Sequence, residues 1–346
     1  MKIVHKNDYV VYIDDVNFDH MTDDLWMEIG KIHMSNLVTI IRNCNVGVNR
    51  STQWIRKWGK SRSSGLMEIC KAYPELTAKE VIHLALKRSP RILAAHADVI
   101  INRFKTKGPN STQRISDIRD KNGGVTGVFP GGELKWHSNE AGNHIFGPGV
   151  SLLGEQNMIG SSTGFLQTAS YYEDVGESFR SELDEMIVIH RHKPGSIHVK
   201  DLGDQAELLK ISMTPKEENY IPMVIQSPGG IKGLHYSINT VDGIVGMSKE
   251  ESDKLFARMN KELMVDKYMC DHWYEHNNDW LFFDNSITNH RRLGEIPNRL
   301  AYRVQHDYEY IQVPNYNPYF QKEHVDIYTS QLEELHTFMR ENNLSE

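Results

Sequence analysis

The chain carries only three cysteines, Cys44, Cys70 and Cys270, far apart and with no CxxC pair. That usage leaves no disulfide framework and no cysteine-based zinc site, and it suits a reducing compartment. No stretch reaches the ~18 consecutive apolar residues of a membrane-spanning helix. The opening, MKIVHKNDYVVYIDD, lacks the long apolar core of a secretory signal. Basic residues are not in excess either: 39 Lys and Arg stand against 46 Asp and Glu, a formal net charge of −7. Nucleic acids and anionic membranes reward the opposite sign. These absences predict a cytoplasmic protein that handles a small molecule, with no nucleic-acid or membrane partner; a homo-oligomer remains open. What is present is ordinary globular composition, 39% hydrophobic and 25% charged over 346 residues, enough for one large domain.

The N-terminal third reads as mixed. VVYIDD (10–15) and LVTIIRN (37–43) are β-branched and apolar, so both predict strands. Between them, 22–34 predicts a helix, with Thr22 as its cap and Leu25, Ile29 and Ile32 on one face. Further helices are expected over 77–88, where Thr77 and Glu80 form a capping box, and over 91–103. Residues 105–135 are rich in turn chemistry. From there to about 310 the chain is mostly short β-prone runs, among them GVSLLG, TGFLQTA, EMIVIHRH, IPMVIQS, GLHYSI, WLFFDNS and LAYRVQHDY. Helical interruptions are expected over 168–184 and 248–266, and a polar helix over 324–342. Many short strands with turn signals predict a barrel or sandwich. The simplest organisation is one α+β domain over 1–346 with a mainly β core. Residues 1–110 give mostly helical support, 111–310 the core, and 320–346 a C-terminal helix.

The chemistry centres on KWHSNEAG (135–142). On a strand, residues i and i+2 share a face, so His137 and Asn139 project together. A second histidine must come from elsewhere, and FFDNSITNHRR offers His290 at a strand end near a turn. Two rival pairs exist. His96 and Asp98 spell HxD, but on a helix i and i+2 lie about 200° apart and cannot share a metal. His190 and His192 spell HxH at the end of a strand, where solvated histidines are common. Downstream, Arg299 and Arg303 stand four residues apart. An arginine inside a β-barrel requires an anion, and a dicarboxylate gripped by a bidentate guanidinium would serve. Ion pairs on an edge strand are the alternative.

In order, WHSN, GSSTGF, LFFDNSITNH and PNRLAYR resemble the iron(II)- and 2-oxoglutarate-dependent dioxygenases of the taurine dioxygenase (TauD/TfdA-like) family. The resemblance is strongest over 131–308, weaker towards the start, and does not cover the tail. It implies a double-stranded β-helix (jelly roll, cupin-like) with N-terminal and inserted supporting helices. It implies iron(II), 2-oxoglutarate as cosubstrate and O₂, with hydroxylation of a substrate C–H bond. Carried over by position, His137 and His290 would bind iron. Thr163 and Arg299 would bind the distal carboxylate of 2-oxoglutarate. Arg303 would lie nearer the metal and meet an anionic group of the cosubstrate or substrate. Asp284 and Asn285 would shape the loop before His290.

Asn139 departs from the family, which has Asp or Glu there to complete a facial triad. Four readings stand open. Asn139 ligates through its amide oxygen; Glu140 swings in by way of a bulge; the position is vacant and takes chloride, as in related halogenases; or the protein binds 2-oxoglutarate or another ligand without turnover. Trp136, Tyr236, Asn239 and Thr240, with Arg303, are the candidate substrate residues, and Arg291 and Arg292 are weaker additions. The expected substrate is a small anionic or zwitterionic metabolite.

Overall fold

The β-branched runs do pair as strands, and the apolar WLFFD stretch becomes the spine of the largest sheet. The computed structural model describes residues 1–61, most positions from 112 to 141, 147–191, 218–294 and 296–316. The first elements are β1 (Lys2–Asn7), β2 (Val10–Asp14), α1 (Asp23–Met34), β3 (Val38–Ile41) and α2 (Val48–Ile55). Then come β4 (Gln113–Ser116), β5 (Leu134–His137), β6 (Gly149–Gln156), β7 (Ser162–Gln167), α3 (Ala169–Asp174), α4 (Glu177–Glu185) and β8 (Ile187–His190). The remainder are β9 (Asn219–Pro222), β10 (Val224–Gln226), β11 (Lys232–Leu234), β12 (Val241–Ile244), α5 (Lys249–Leu263), β13 (Met269–Trp273), β14 (Trp280–Asp284), β15 (Thr288–Leu293) and β16 (Leu300–His306). The architecture is α+β and mainly sheet.

A seven-stranded sheet runs β1-β2-β3-β14-β6-β16-β4, and a four-stranded sheet runs β13-β7-β15-β5. A three-stranded sheet (β12-β8-β9) and a hairpin (β10-β11) complete the set among the described residues. β14 is buried along its whole length, because alternate side chains serve different cores. Leu281 and Phe283 join Val38, Ile40, Val150, Leu152 and Ala301 in the core that also holds Phe165 and Tyr274 of the four-stranded side. Trp280 and Phe282 face the other way, into a layer formed with Trp26 and Ile29 of α1 and with Trp58. There the Trp26 ring stacks on Trp58 at 4.3 Å and on Trp280 at 5.3 Å. A strand covered on both faces needs a continuous apolar run, which WLFFD supplies.

Local signals place the helices. Thr22 caps α1 by accepting from Leu25 N at 3.2 Å. Ser248 and Glu251 form a full capping box at the start of α5. Several expectations shift. The strands expected over 10–15 and 37–43 form, β3 pairing with β14 and β2 with β3, and β1 adds a third that was not expected, so the first 61 residues contribute three strands as well as two helices. Of GLHYSI only the start is strand (β11). β4 and β13 were not anticipated, since QRIS and MCDHW are too polar to read as core strands. The helices expected at 77–88, 91–103 and 324–342, with His96 and Asp98, lie outside the described residues. No helix among the described residues is long and apolar enough to cross a membrane.

Candidate metal and cosubstrate site

Register decides which side chains share the interior. β5 and β15 pair with His137 directly opposite His290. β15 in turn sets His290 opposite Phe165 and Arg292 opposite Thr163 on β7. β13 sets His272 opposite Thr163. Directly opposed residues point the same way, and so do residues two apart. One face of this sheet therefore carries His137, His290, Thr163 and Phe165, and it faces the core that Phe283 enters from the seven-stranded side.

The two imidazoles lie with ring centroids 4.1 Å apart. His137 Nδ1 sits 2.7 Å from the Lys135 carbonyl. A carbonyl only accepts, so Nδ1 carries the proton and Nε2 keeps the lone pair, the tautomer that suits a metal ligand. His290 is packed against the Phe283 ring at 4.8 Å. Burial, with His137 and Arg303 nearby, holds its pKa well below the ordinary histidine value, so it is the neutral, ligating form.

Asn139 is clamped by Asn285. Asn139 N donates to Asn285 Oδ1 at 2.8 Å, and Asn285 Nδ2 donates to the Asn139 carbonyl at 2.8 Å. Asn285 can do so because Asp284 shapes the turn after β14, accepting from Ser286 N at 2.7 Å and Ile287 N at 3.2 Å. Burial pushes the Asp284 carboxyl up to about 7. The Asn139 side chain is taken up on one side only. Its Oδ1 accepts from Arg303 Nη1 at 3.0 Å, and its Nδ2 is buried with no hydrogen-bond partner among the described residues. Arg303, on β16, also donates to Gln113 Oε1.

Arg299 is 6% exposed, and its Nη1 is buried without a partner among the described residues. Burial lowers its pKa, while Tyr274 and Asp117 act in the other direction. Asp117 accepts from the Arg299 backbone N at 3.1 Å. Thr163 Oγ1 and Tyr274 OH share a hydrogen bond of 3.1 Å, and burial raises the Tyr274 phenol to about 12. A buried guanidinium with an unfilled donor, beside two hydroxyls, is a seat for a carboxylate.

The family model for "Taurine catabolism dioxygenase TauD, TfdA family" matches residues 11–305. The chain belongs to the TauD/TfdA family. It is a 2-oxoglutarate-dependent dioxygenase, of a family that uses iron(II), 2-oxoglutarate and O₂. The structure of AAD-2 in complex with Mn(II) and N-oxalylglycine is similar at TM-score 0.56 and 14% identity, covering 88% of this chain and 96% of that one. A taurine dioxygenase from Burkholderia xenovorans is similar at TM-score 0.57 and 14% identity, covering 88% of each chain. A putative alpha-ketoglutarate-dependent taurine dioxygenase from the same organism gives TM-score 0.58 and 15% identity, again with 88% of each chain covered. At such identities the likeness speaks for the fold. No curated protein sequence matches the chain.

The TauD/TfdA donor set is present in part. Two imidazoles suit iron(II), and the orphaned Arg299 donor suits the dicarboxylate. The third corner offers an amide. Accordingly, no group of three His, Cys, Asp or Glu side chains gathers among the described residues. Glu140, the alternative ligand, lies outside the described residues, as does His192. His190 is fully buried and bonds through Nδ1 to Thr240 Oγ1 at 2.9 Å, so the rival HxH histidine has a structural partner.

Most of the substrate residues named from the sequence are elsewhere. Trp136 sits one residue from His137 and therefore on the opposite face of β5, in the core against α5, under the Arg291 guanidinium at 4.3 Å. Tyr236 is 1% exposed and anchors α5 through Asn260 Oδ1 at 3.0 Å. Thr240 is buried and spent on His190. Asn239 is linked to the site through a relay: its Oδ1 accepts from Ser237 Oγ at 2.7 Å, and that oxygen accepts from Ser138 N at 2.9 Å. Arg291 pairs with Asp271 at 2.7 Å. Arg292 is buried and donates to the Gly132 carbonyl at 2.7 Å, holding that loop. Two contributors escaped the sequence reading, Tyr274 and Gln113. Neither stands in a motif, and only strand pairing brings them to the interior.

Proposed function

We propose that the chain folds as a double-stranded β-helix and works in the cytoplasm as an iron(II)- and 2-oxoglutarate-dependent hydroxylase of a small anionic or zwitterionic metabolite. His137 and His290 would hold the iron, and Arg299 with Thr163 would hold the distal carboxylate of 2-oxoglutarate. The observation that carries the reading is the buried Arg299 Nη1 with no partner among the described residues. Such a donor costs about 1–3 kcal/mol until something accepts from it, and a carboxylate does so best. When bound, iron(II) with 2-oxoglutarate and O₂ supplies the oxidising chemistry, with succinate and CO₂ as co-products. The protein's own share is positioning and exclusion of water. The Lys135 carbonyl keeps His137 in the ligating tautomer. Phe165 and Phe283 dry the interior around His290. Arg303 places positive charge beside His290, which supports a carboxylate, sulfonate or phosphate on the substrate. The three dispersed cysteines support the cytoplasmic setting.

The test is an anaerobic titration of the metal-free protein with iron(II), with and without 2-oxoglutarate, read by the visible charge-transfer band of the chelate. A band that disappears in His137→Ala and persists in His190→Ala supports the assignment. No band at saturating iron and 2-oxoglutarate would refute it. With the band in hand, succinate release across a panel of amino acids and organic acids identifies the substrate and separates turnover from mere binding.

A further inference from the structure

We infer that Asn139 is not a metal ligand but the hydrogen-bond donor that seats a small monovalent anion at the third protein corner of the metal site. The inference rests on the reading of His137 and His290 as the iron-binding pair. Three observations support it. The first is the orientation of the amide. Arg303 Nη1 lies 3.0 Å from Asn139 Oδ1, and a guanidinium has donors only. A flipped amide would set NH₂ against N–H, so the oxygen is committed to Arg303 and Nδ2 is turned away from it. The second is rigidity. Asn285 holds both the N–H and the carbonyl of Asn139 at 2.8 Å, so the backbone that carries the side chain is fixed in place, and the Arg303 bond sets which way the amide points. The third is the orphan itself. Asn139 is 5% exposed, and Nδ2 is buried with no partner among the described residues. A buried donor of that kind calls for an acceptor.

Charge selects the acceptor. Imidazoles bind metals in their neutral form, and an amide is neutral, so His137, His290 and Asn139 bring no negative charge to a divalent cation. One monovalent anion on the metal would restore the single charge that a carboxylate normally brings and would accept from Nδ2. Arg303 would then act as a positioning residue, since it fixes which end of the amide faces the metal.

The test uses the full chain with cobalt(II) as a spectroscopic stand-in for iron(II) and N-oxalylglycine as a cosubstrate analogue that does not turn over. The buffer is zwitterionic and free of chloride, with ionic strength held by perchlorate. Chloride is then titrated in and the visible d–d bands are followed. The expected result is a saturable band shift in the wild type. In Asn139→Leu, which keeps the size and removes the donor, the apparent chloride affinity falls roughly tenfold or more, as loss of one hydrogen bond to a charged group implies. Asn139→Asp abolishes the chloride response and binds cobalt(II) without the analogue at least about tenfold more tightly. If the analogue bands form but chloride shifts nothing, the anion subsite is refuted while the metal assignment stands. If Asn139→Leu keeps its melting temperature but loses cobalt(II), the amide oxygen is a ligand and the inference falls. If no analogue bands form in any variant, the two-histidine assignment fails and the inference with it.

Discussion

Replacing Arg299 with methionine separates a cosubstrate seat from a structural ion pair, because the two roles predict opposite outcomes. In the free protein the Arg299 guanidinium is 6% exposed and has an unfilled Nη1 donor. Its burial is paid for elsewhere in the fold. Methionine keeps the packing volume and removes a poorly satisfied charge. The bonds that Asp117 accepts come from the backbone N–H groups of Asn298 and of residue 299, so they survive the substitution. The stability of the free protein should therefore change by no more than about 1 kcal/mol, since exchanging buried polar groups for well-packed apolar ones is often neutral or better. Cosubstrate binding should suffer far more. Two charge-assisted hydrogen bonds at about 1.5–3 kcal/mol each put the loss at about 3–6 kcal/mol, or roughly 10²- to 10⁴-fold in Kd. The assay is thermal unfolding, with iron(II) or cobalt(II) present, in the absence and presence of 2-oxoglutarate. At about 100 times its Kd the ligand stabilises the wild type by about 2.7 kcal/mol; the same concentration should leave Arg299→Met almost unshifted. A variant that loses several kcal/mol when free, yet binds 2-oxoglutarate within about threefold of wild type, would refute the reasoning.

Tyr274→Phe removes the hydroxyl that bonds Thr163 at 3.1 Å. At about 1 kcal/mol for one hydrogen bond, KM for 2-oxoglutarate should rise roughly fivefold with kcat preserved; an unchanged KM would place Tyr274 outside the cosubstrate seat. Acid stability follows from three buried histidines. Burial lowers His33 to about 3 and His235 and His306 to about 4. In the unfolded chain these imidazoles protonate near pH 6.5, so between pH 6.5 and about 4 the unfolded state binds protons that the folded state refuses. Stability is fully present above 6.5 and falls as pH drops through that window. Asp284, raised to about 7, acts in the opposite sense and offsets part of the slope. Denaturant unfolding at pH 7.5, 5.5 and 4.5 should show a progressive loss, whereas a flat profile would contradict the burial of neutral imidazoles.

Local features translated well from the sequence because their physics is local. Thr22 and Ser248 cap helices through bonds that span three residues. VVYI and VTII are strands because β-branched side chains suit a pleated surface. The four motifs that resemble the TauD/TfdA family also named side chains that come together in space: His137 lies opposite His290, Asn139 bonds to Arg303, and Thr163 bonds to Tyr274 close to Arg299. Sidedness was harder. Trp136 stands one residue from His137, but a strand alternates its faces, and one position moves its ring from the interior to the packing under α5; Tyr236 follows the end of β11 and packs there too. β4 and β13 were missed because their pairing is set by long-range neighbours, while their own residues are polar.

The sequence by itself determined the family, the mainly β class, the paired histidines and the absence of a carboxylate at position 139. Only the tertiary structure decided what the amide there can do. Which end of Asn139 meets Arg303 depends on a contact across 164 residues, and a donor is orphaned only when everything around it has closed. Strand register likewise exists only between strands of the sheet, so the roles of Tyr274, Gln113 and Trp136 could not be read from their own neighbours in sequence.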